Sequence, residues 1–389
     1  MFHPSKQPTI SGGAPAFDTP VHVGRPNIGR ADAMAQYLKE ILNSRWLTNN
    51  GPLVQELESR IAEMHGVRHC VAMCNGTIAL EIAIRAVGLT GEVIVPSFTF
   101  VATAHALSWQ EITPVFADID PATHNLDAAA VERMITPRTT GIIGVHLWGR
   151  PAPAASLQSI ADRHGLTLIF DAAHAFNSCV GGRPLGDFGR CQVLSFHATK
   201  IFNTLEGGAV ITNDDDLADK IRLMRNFGFC GYDNVIHPGT NGKMSELNAA
   251  MGLVNLEALH DFIEANRLRY NQYAEALDDI DGVSLIRYNQ CDAPNYQYVV
   301  IEIDADCGAT RDDVITALHA ENILARKYFW PGCHRMKPYS ELYPHAGMLL
   351  PESEKLAERV VVLPTGSTLP DGCVETVASV LRMLIRTQA

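Results

Sequence analysis

At 389 residues the chain is longer than most single domains, and a large α/β unit with a smaller companion is the first expectation. Hydrophobic residues at 47% and charged residues at 19% fit a globular protein with a sizeable core. A net charge of −12 argues against a nucleic-acid or anionic-membrane surface as the main partner, but not against a small anionic ligand, which local charge decides. The start, MFHPSKQPTISGGAP, has no apolar h-region, and no apolar run approaches the length that spans a bilayer. The 9 cysteines include no C-x-x-C pair and read as reduced thiols of a cytoplasmic protein. The 15 histidines show no metal-ligand spacing, and no metal is expected.

In chain order, residues 1–30 are rich in Pro, Gly and Ser and read as an extended lead-in rather than a packed element. Helical patterns follow over residues 31–42 and 53–64, the second with Leu53, Leu57 and Ile61 on one face. Short buried-strand runs then alternate with helices. HCVAM precedes TIALEIAIRAV, EVIV precedes a helix over 101–107, and PVFADI precedes one over 126–134. GIIGVHL precedes a helix over 152–163, TLIFD ends at Asp171, and QVLSF and GAVIT lead to a helix over 215–224. Such alternation predicts a mostly parallel sheet covered by helices on both faces. One long helical stretch over 244–276 separates this region from a strand run (YQYVVIEI) and helices over 309–320 and 373–385. The division expected is a large domain over 1–255 and a smaller α+β domain over 256–389.

Ligands of an open parallel sheet bind beyond the carboxyl ends of its strands. Gly76 and Thr77 after HCVAM, Asp171 after TLIF, and Ser195 with Lys200 after QVLSF all fall at such ends. Gly76-Thr77 is either a simple turn and cap or an anion site at a helix N-terminus, and Ser195 is a second phosphate hydroxyl or an ordinary strand-end serine. Asp171 either caps a helix over AAHAF or meets a protonated ring nitrogen such as that of pyridoxal phosphate (PLP). Phe100, in VPSFTFVATA, is a core residue or a ring stacked on a cofactor. Lys200, in SFHATKIFNTLEGGAV, is a solvated charge or a desolvated amine able to condense with an aldehyde.

These segments, in order with SRWLTNNGPLVQELE, CNGTIALEIA, DAAHAF, GTNGKMSELNAAMGL and ARKYFWPGCHRMKPY, resemble the DegT/DnrJ/StrS family of PLP-dependent nucleotide-sugar aminotransferases over nearly the whole chain. The resemblance implies a PLP-dependent transferase of fold type I working as a homodimer with shared active sites. It implies Lys200 as Schiff-base lysine and proton shuttle, Asp171 on the pyridine nitrogen and Phe100 stacked on the ring. Gly76, Thr77 and Ser195 would hold the phosphate, Asn241 would reach it from the neighbouring subunit, and His174 would lie near the phenolic oxygen. Tyr328, Trp330 and His334 would line the sugar pocket. Many relatives carry Gln at position 174 and Arg at 243, where this chain has Lys243, to which no role falls. The implied reaction, with pyridoxamine phosphate as intermediate form, aminates an NDP-4-keto-6-deoxyhexose, dTDP-4-keto-6-deoxy-D-glucose first, with L-glutamate as donor. The rivals are a 3-keto-sugar aminotransferase, a sugar dehydratase of the same scaffold, in which histidine replaces the lysine, and a non-catalytic regulator.

Overall fold

The computed structural model describes Thr9 and residues 12–386; of the lead-in, residues 1–8, 10 and 11 lie outside the described residues. In chain order the elements are β1 (Val21–His22), α1 (Ala31–Ser44), α2 (Pro52–Met64), β2 (His69–Met73), α3 (Gly76–Val87), β3 (Glu92–Pro96), α4 (Ala102–Ser108) and β4 (Thr113–Ala117). There follow α5 (Ala128–Arg133), β5 (Thr139–Val145), α6 (Ala154–His164), β6 (Thr167–Asp171), a small hairpin of β7 (Cys179–Val180) and β8 (Arg183–Pro184), β9 (Gln192–Ser195), β10 (Gly208–Thr212) and α7 (Asp215–Arg225). The C-terminal part comprises α8 (Glu246–Glu257), α9 (Leu259–Leu277), β11 (Val283–Leu285), β12 (Val299–Ile303), α10 (Arg311–Ala320), β13 (Ile323–Leu324), α11 (Tyr339–Leu342), α12 (Pro351–Ala357), β14 (Val360–Leu363) and α13 (Cys373–Arg386).

The main sheet has 7 strands in the order β2-β10-β9-β6-β5-β3-β4. All run parallel except β10, which is antiparallel to both β2 and β9. Its strands are continuous apolar runs because both faces are covered. On one face Leu80, Ala83, Leu107 and Ile221 of α3, α4 and α7 pack on Val71, Val93 and Val210. The other is closed by Leu57 and Ile61 of α2, Ala249 and Leu253 of α8, and Leu157 and Ile160 of α6. A second, antiparallel sheet, β11-β12-β14, belongs to the C-terminal unit and packs with α9, α10 and α13.

The expected long helix over 244–276 is two helices that part at Ala258. α8 is buried almost all round, inside the large unit. α9 leaves that core: Leu259 and Phe262 still pack with α8, whereas Tyr270, Tyr273 and Leu277 join the C-terminal core. The strands β11 and β14 had no legible period, being short runs of three and four residues.

The described lead-in is extended, as its composition predicts, yet it packs: Ala16, Phe17 and Val21 are buried in the C-terminal core, and β1 pairs in parallel with β13. The chain then crosses to the large unit, where Asn27 Nδ2 donates to the Ile201 carbonyl (3.2 Å) and Gly29 N–H donates to Asn255 Oδ1 (2.8 Å). Asn27 Oδ1 accepts from Ser367 Oγ (3.0 Å), so this strap touches both units.

Asp118, just after β4, supplies a second tie. Its carboxylate accepts from the N–H groups of Glu352 and Ser353 (both 2.9 Å) and from Ser353 Oγ (2.7 Å) at the start of α12. Removing a buried helix cap leaves those donors unpaired. Asp118→Ala should lower unfolding stability by about 1–3 kcal/mol, read as a lower denaturant midpoint at unchanged slope. An unchanged midpoint would mean that the clamp adds nothing.

Candidate active site

A cavity of about 610 Å3 opens at the carboxyl ends of the main sheet and is closed on the far side by Tyr298, Tyr328 and Phe329 of the C-terminal unit. Gly76, Thr77, Phe100, Asp171, His174, Ser195, Lys200 and Tyr328 all line it.

One wall is the N-terminus of α3. Asn75 caps the helix through its side chain, which accepts from Ile78 N–H (2.8 Å), and the first turn brings Gly76 and Thr77 to the cavity. The antiparallel β10 begins on this same rim. A Cβ on Gly208 would lie 2.6 Å from both the Asn75 carbonyl carbon and Gly76 N, and one on Gly76 would lie 3.0 Å from Ser195 Cβ. The Glu-Gly-Gly turn is therefore glycine because backbone passes directly under the helix start.

Asp171 ends β6 and is buried. No regular helix follows over AAHAF, so Asp171 caps none; its Oδ1 accepts from Ala173 N–H (3.1 Å) and its Oδ2 from Thr103 Oγ1 (2.9 Å). Burial pushes its carboxyl above the ordinary value, against the pull of these two donors and of Lys200. Thr103, in the first turn of α4, is not singled out by the sequence; only the fold buries its hydroxyl completely, against Asp171.

Lys200 sits on a tight turn closed by its own N–H donating to the His197 carbonyl (2.9 Å). The next N–H, of Ile201, donates to Gln297 Oε1 (3.0 Å) from the C-terminal unit. Desolvation pushes the Lys200 amine down to about 8, with Asp171 and then Tyr328 opposing the shift. His174 is buried and held neutral, its imidazole well below the ordinary value through burial and then the nearby Lys200 charge.

Three expected residues lie elsewhere. Trp330 is 47% exposed and lines an adjoining depression that shares Phe100, Tyr328 and Phe329 with the cavity. His334 is buried between Ser97 Oγ (2.6 Å from Nδ1) and Glu354 Oε1 (2.6 Å from Nε2) and does not line the cavity; its two ring nitrogens are occupied in holding the loop after β3. Asn241 is exposed and outside the cavity lining of its own chain. Lys243 donates to Asn226 Oδ1 (3.0 Å) and lies over the Phe227 ring. Among the described residues no cluster of three or more His, Cys, Asp or Glu is placed to hold a metal ion, and no helix is long and apolar enough to cross a membrane.

This parallel sheet with its strand-end cavity has the fold of PLP-dependent aminotransferases: it superimposes with a TM-score of 0.92 on a crystal structure of DesI in the presence of its TDP-sugar product, at 50% identity and covering 97% of this chain and 96% of that one. The model of the DegT/DnrJ/EryC1/StrS aminotransferase family matches residues 30–382, and the chain belongs to that family. It is 37% identical over 368 residues to a dTDP-4-amino-4,6-dideoxy-D-glucose transaminase of Shigella dysenteriae, covering 94% of this chain and 99% of that protein. It is 35% identical over 358 residues to a GDP-perosamine synthase of Caulobacter vibrioides, covering 90% and 94%.

The Lys200 environment sets a pH dependence. An ammonium cannot attack an aldehyde, so reaction of the apoprotein with PLP, trapped by borohydride, should rise with pH and reach half its maximum near 8. Asp171 raises the Lys200 value, so Asp171→Asn should move that midpoint to lower pH. A midpoint near that of a free lysine would contradict the desolvated amine.

Proposed function

We propose that the protein transfers the amino group of L-glutamate to the 4-keto carbon of an NDP-4-keto-6-deoxyhexose, dTDP-4-keto-6-deoxy-D-glucose, yielding the 4-amino-4,6-dideoxy sugar. The observation that carries the reading is the desolvated Lys200 amine in one cavity with the buried Asp171 carboxylate. A dehydratase that replaces this lysine by histidine lacks that amine. The transaminase activity that the Shigella relative is named for, and the TDP-sugar product in whose presence DesI was crystallised, support the substrate class and its amination.

The residues present fit PLP. The helix start at Gly76 and Thr77, with the Ser195 hydroxyl, suits a phosphate, because free N–H groups and the helix dipole favour an anion. Asp171, held by Thr103 and Ala173, suits a protonated ring nitrogen, which would relieve its burial. Phe100 would cover one ring face, and His174 would stand near the phenolic oxygen. When bound, PLP carries the amino group between donor and acceptor and draws electrons from the reacting carbon. Lys200 Nζ then takes a proton from the donor α-carbon and, in the second half-reaction, delivers one to the sugar carbon. An amine near 8 is partly neutral at physiological pH, as a general base requires. The adjoining depression, with Trp330 as an aromatic face and the Arg326 guanidinium on its wall, offers positive charge for the nucleotide diphosphate, while Lys327 is paired with Asp312 (2.6 Å).

The same reading makes the protein a homodimer with shared sites. The excursion over 227–240 exposes Phe227, Val235, Ile236 and Tyr232, the last at 98%, and Asn241 stands at its end. Surface of this kind is costly in a monomer, and Asn241 is free to reach a partner's phosphate.

Incubation with glutamate and dTDP-, UDP- and GDP-linked 3- and 4-ketosugars should give amination of the dTDP-4-keto sugar and release 2-oxoglutarate; amination confined to a 3-keto sugar overturns the assignment. Lys200→Ala should abolish turnover with fold retained, and Asp171→Asn should lower the rate by orders of magnitude, on the order of 100-fold or more, since a weaker electron sink raises the barrier directly.

Mixing inactive Lys200→Ala with inactive Asn241→Asp should restore activity through heterodimers that carry one intact site. No recovery after demonstrated subunit exchange would assign Asn241 to its own chain's site or to none.

A further inference from the structure

Under the cavity floor lies a buried aromatic cluster fed by several strand ends. Phe98, fully buried, makes edge contacts with His124 (ring centroids 6.4 Å), Trp148 (6.2 Å) and Phe329 (6.0 Å). The Trp148 ring is parallel to within 15° to that of His174, at 6.3 Å, and to within 17° to that of Phe329, at 5.2 Å. His174 and Phe329 are parallel to within 5°. Tyr298 meets His174 edge-on at 4.8 Å. Among the described residues the buried Nδ1 of His174 has no hydrogen-bond partner, so these ring contacts hold its plane where a polar anchor at that atom would otherwise do so.

The indole is itself anchored. Trp148 Nε1 lies 3.3 Å from His124 Nδ1, and an indole N–H only donates, so His124 Nδ1 is the acceptor. The His124 proton is then on Nε2, which donates to Glu302 Oε1 at 3.0 Å. Burial alone would raise the Glu302 carboxyl, but the hydrogen bond from His124 and the charges of Arg359 and Arg150 hold it below the ordinary value. His124 follows β4 and Trp148 follows β5, whereas Glu302 stands on β12 of the C-terminal sheet.

We infer that Trp148 is a positioning residue for His174, and that the buried chain Trp148–His124–Glu302 makes this positioning depend on how the C-terminal sheet is seated. The inference rests on the reading above, in which His174 stands near the cofactor's phenolic oxygen. Of the chain's three side chains, only Trp148 touches His174; the other two act through it.

Visible circular dichroism of the PLP-loaded protein reads the tilt of the bound ring, and steady-state kinetics read turnover separately. Trp148→Phe keeps an aromatic plane and loses the N–H; Glu302→Gln keeps size and loses charge. In both, the visible dichroic band should shrink or change sign, and kcat should fall on the order of tenfold with the sugar KM unchanged, as for a misplaced contact to the reacting group. Because the residues act as one chain, the double variant should fall no further than the worse single variant. Effects that multiply in the double variant overturn the inference. So does a wild-type band and kcat in both folded single variants, even with a lowered Tm. Failure of the wild-type protein to bind PLP would instead remove the functional reading, and this inference with it.

Discussion

The site turns on withdrawing two opposite charges from water at the ends of neighbouring strands. β6 ends at Asp171, and Lys200 follows β9, its partner in the sheet. A lone carboxylate or ammonium in such a place costs several kcal/mol, and the chain offsets this by degrees. Thr103 and the Ala173 N–H take the carboxylate oxygens, and the amine adds its charge. The remaining imbalance shows in opposite shifts, Asp171 upward and Lys200 downward, both caused first by burial. Burial of this kind is what makes an amine nucleophilic near neutrality, so the cost to the fold and the chemistry come from one source.

Two backbone constraints keep that geometry tight. β10 runs against the direction of its neighbours, which places its first residue, not its last, at the ligand rim, and only glycine fits there under the start of α3. Gln297 reaches across from the C-terminal unit to the N–H that follows Lys200. The lysine turn is thus held by the sheet on one side and by the smaller unit on the other.

Much of this could be read in the linear sequence. Continuous apolar runs that end in Asp171, Ser195 or Asn75 mark both the strands and the rim, because a parallel strand is buried until its carboxyl end. Regions where identity depends on distant partners were less legible. His334 stands in the same sequence block as Tyr328, yet Ser97 and Glu354, contributed by other segments, take both its nitrogens. Nothing in the sequence singles out Glu302 or His124; only the fold sets His124 between Trp148 and Glu302. The break at Ala258 carries no proline or glycine; it follows from the need of α8 to be buried all round while α9 leans on another core. The proposed division at 255/256 falls close to that change of direction, while the lead-in residues Ala16, Phe17 and Val21 pack with the C-terminal unit.

The strap around Asn27 has a consequence for biosynthesis. Val23 and Gly24 line the cavity, and the strap's side-chain contact with Ser367 closes a sequence separation of 340 residues. The segment leaves the ribosome well before its partners β13 and Ser367 have been made. During that interval the parallel sheet can assemble locally, but the pocket lacks one wall and Phe17 and Val21 have no core to enter. Completion of the cavity is therefore a long-range event, and β1 stays an unpaired edge until β13 has been made.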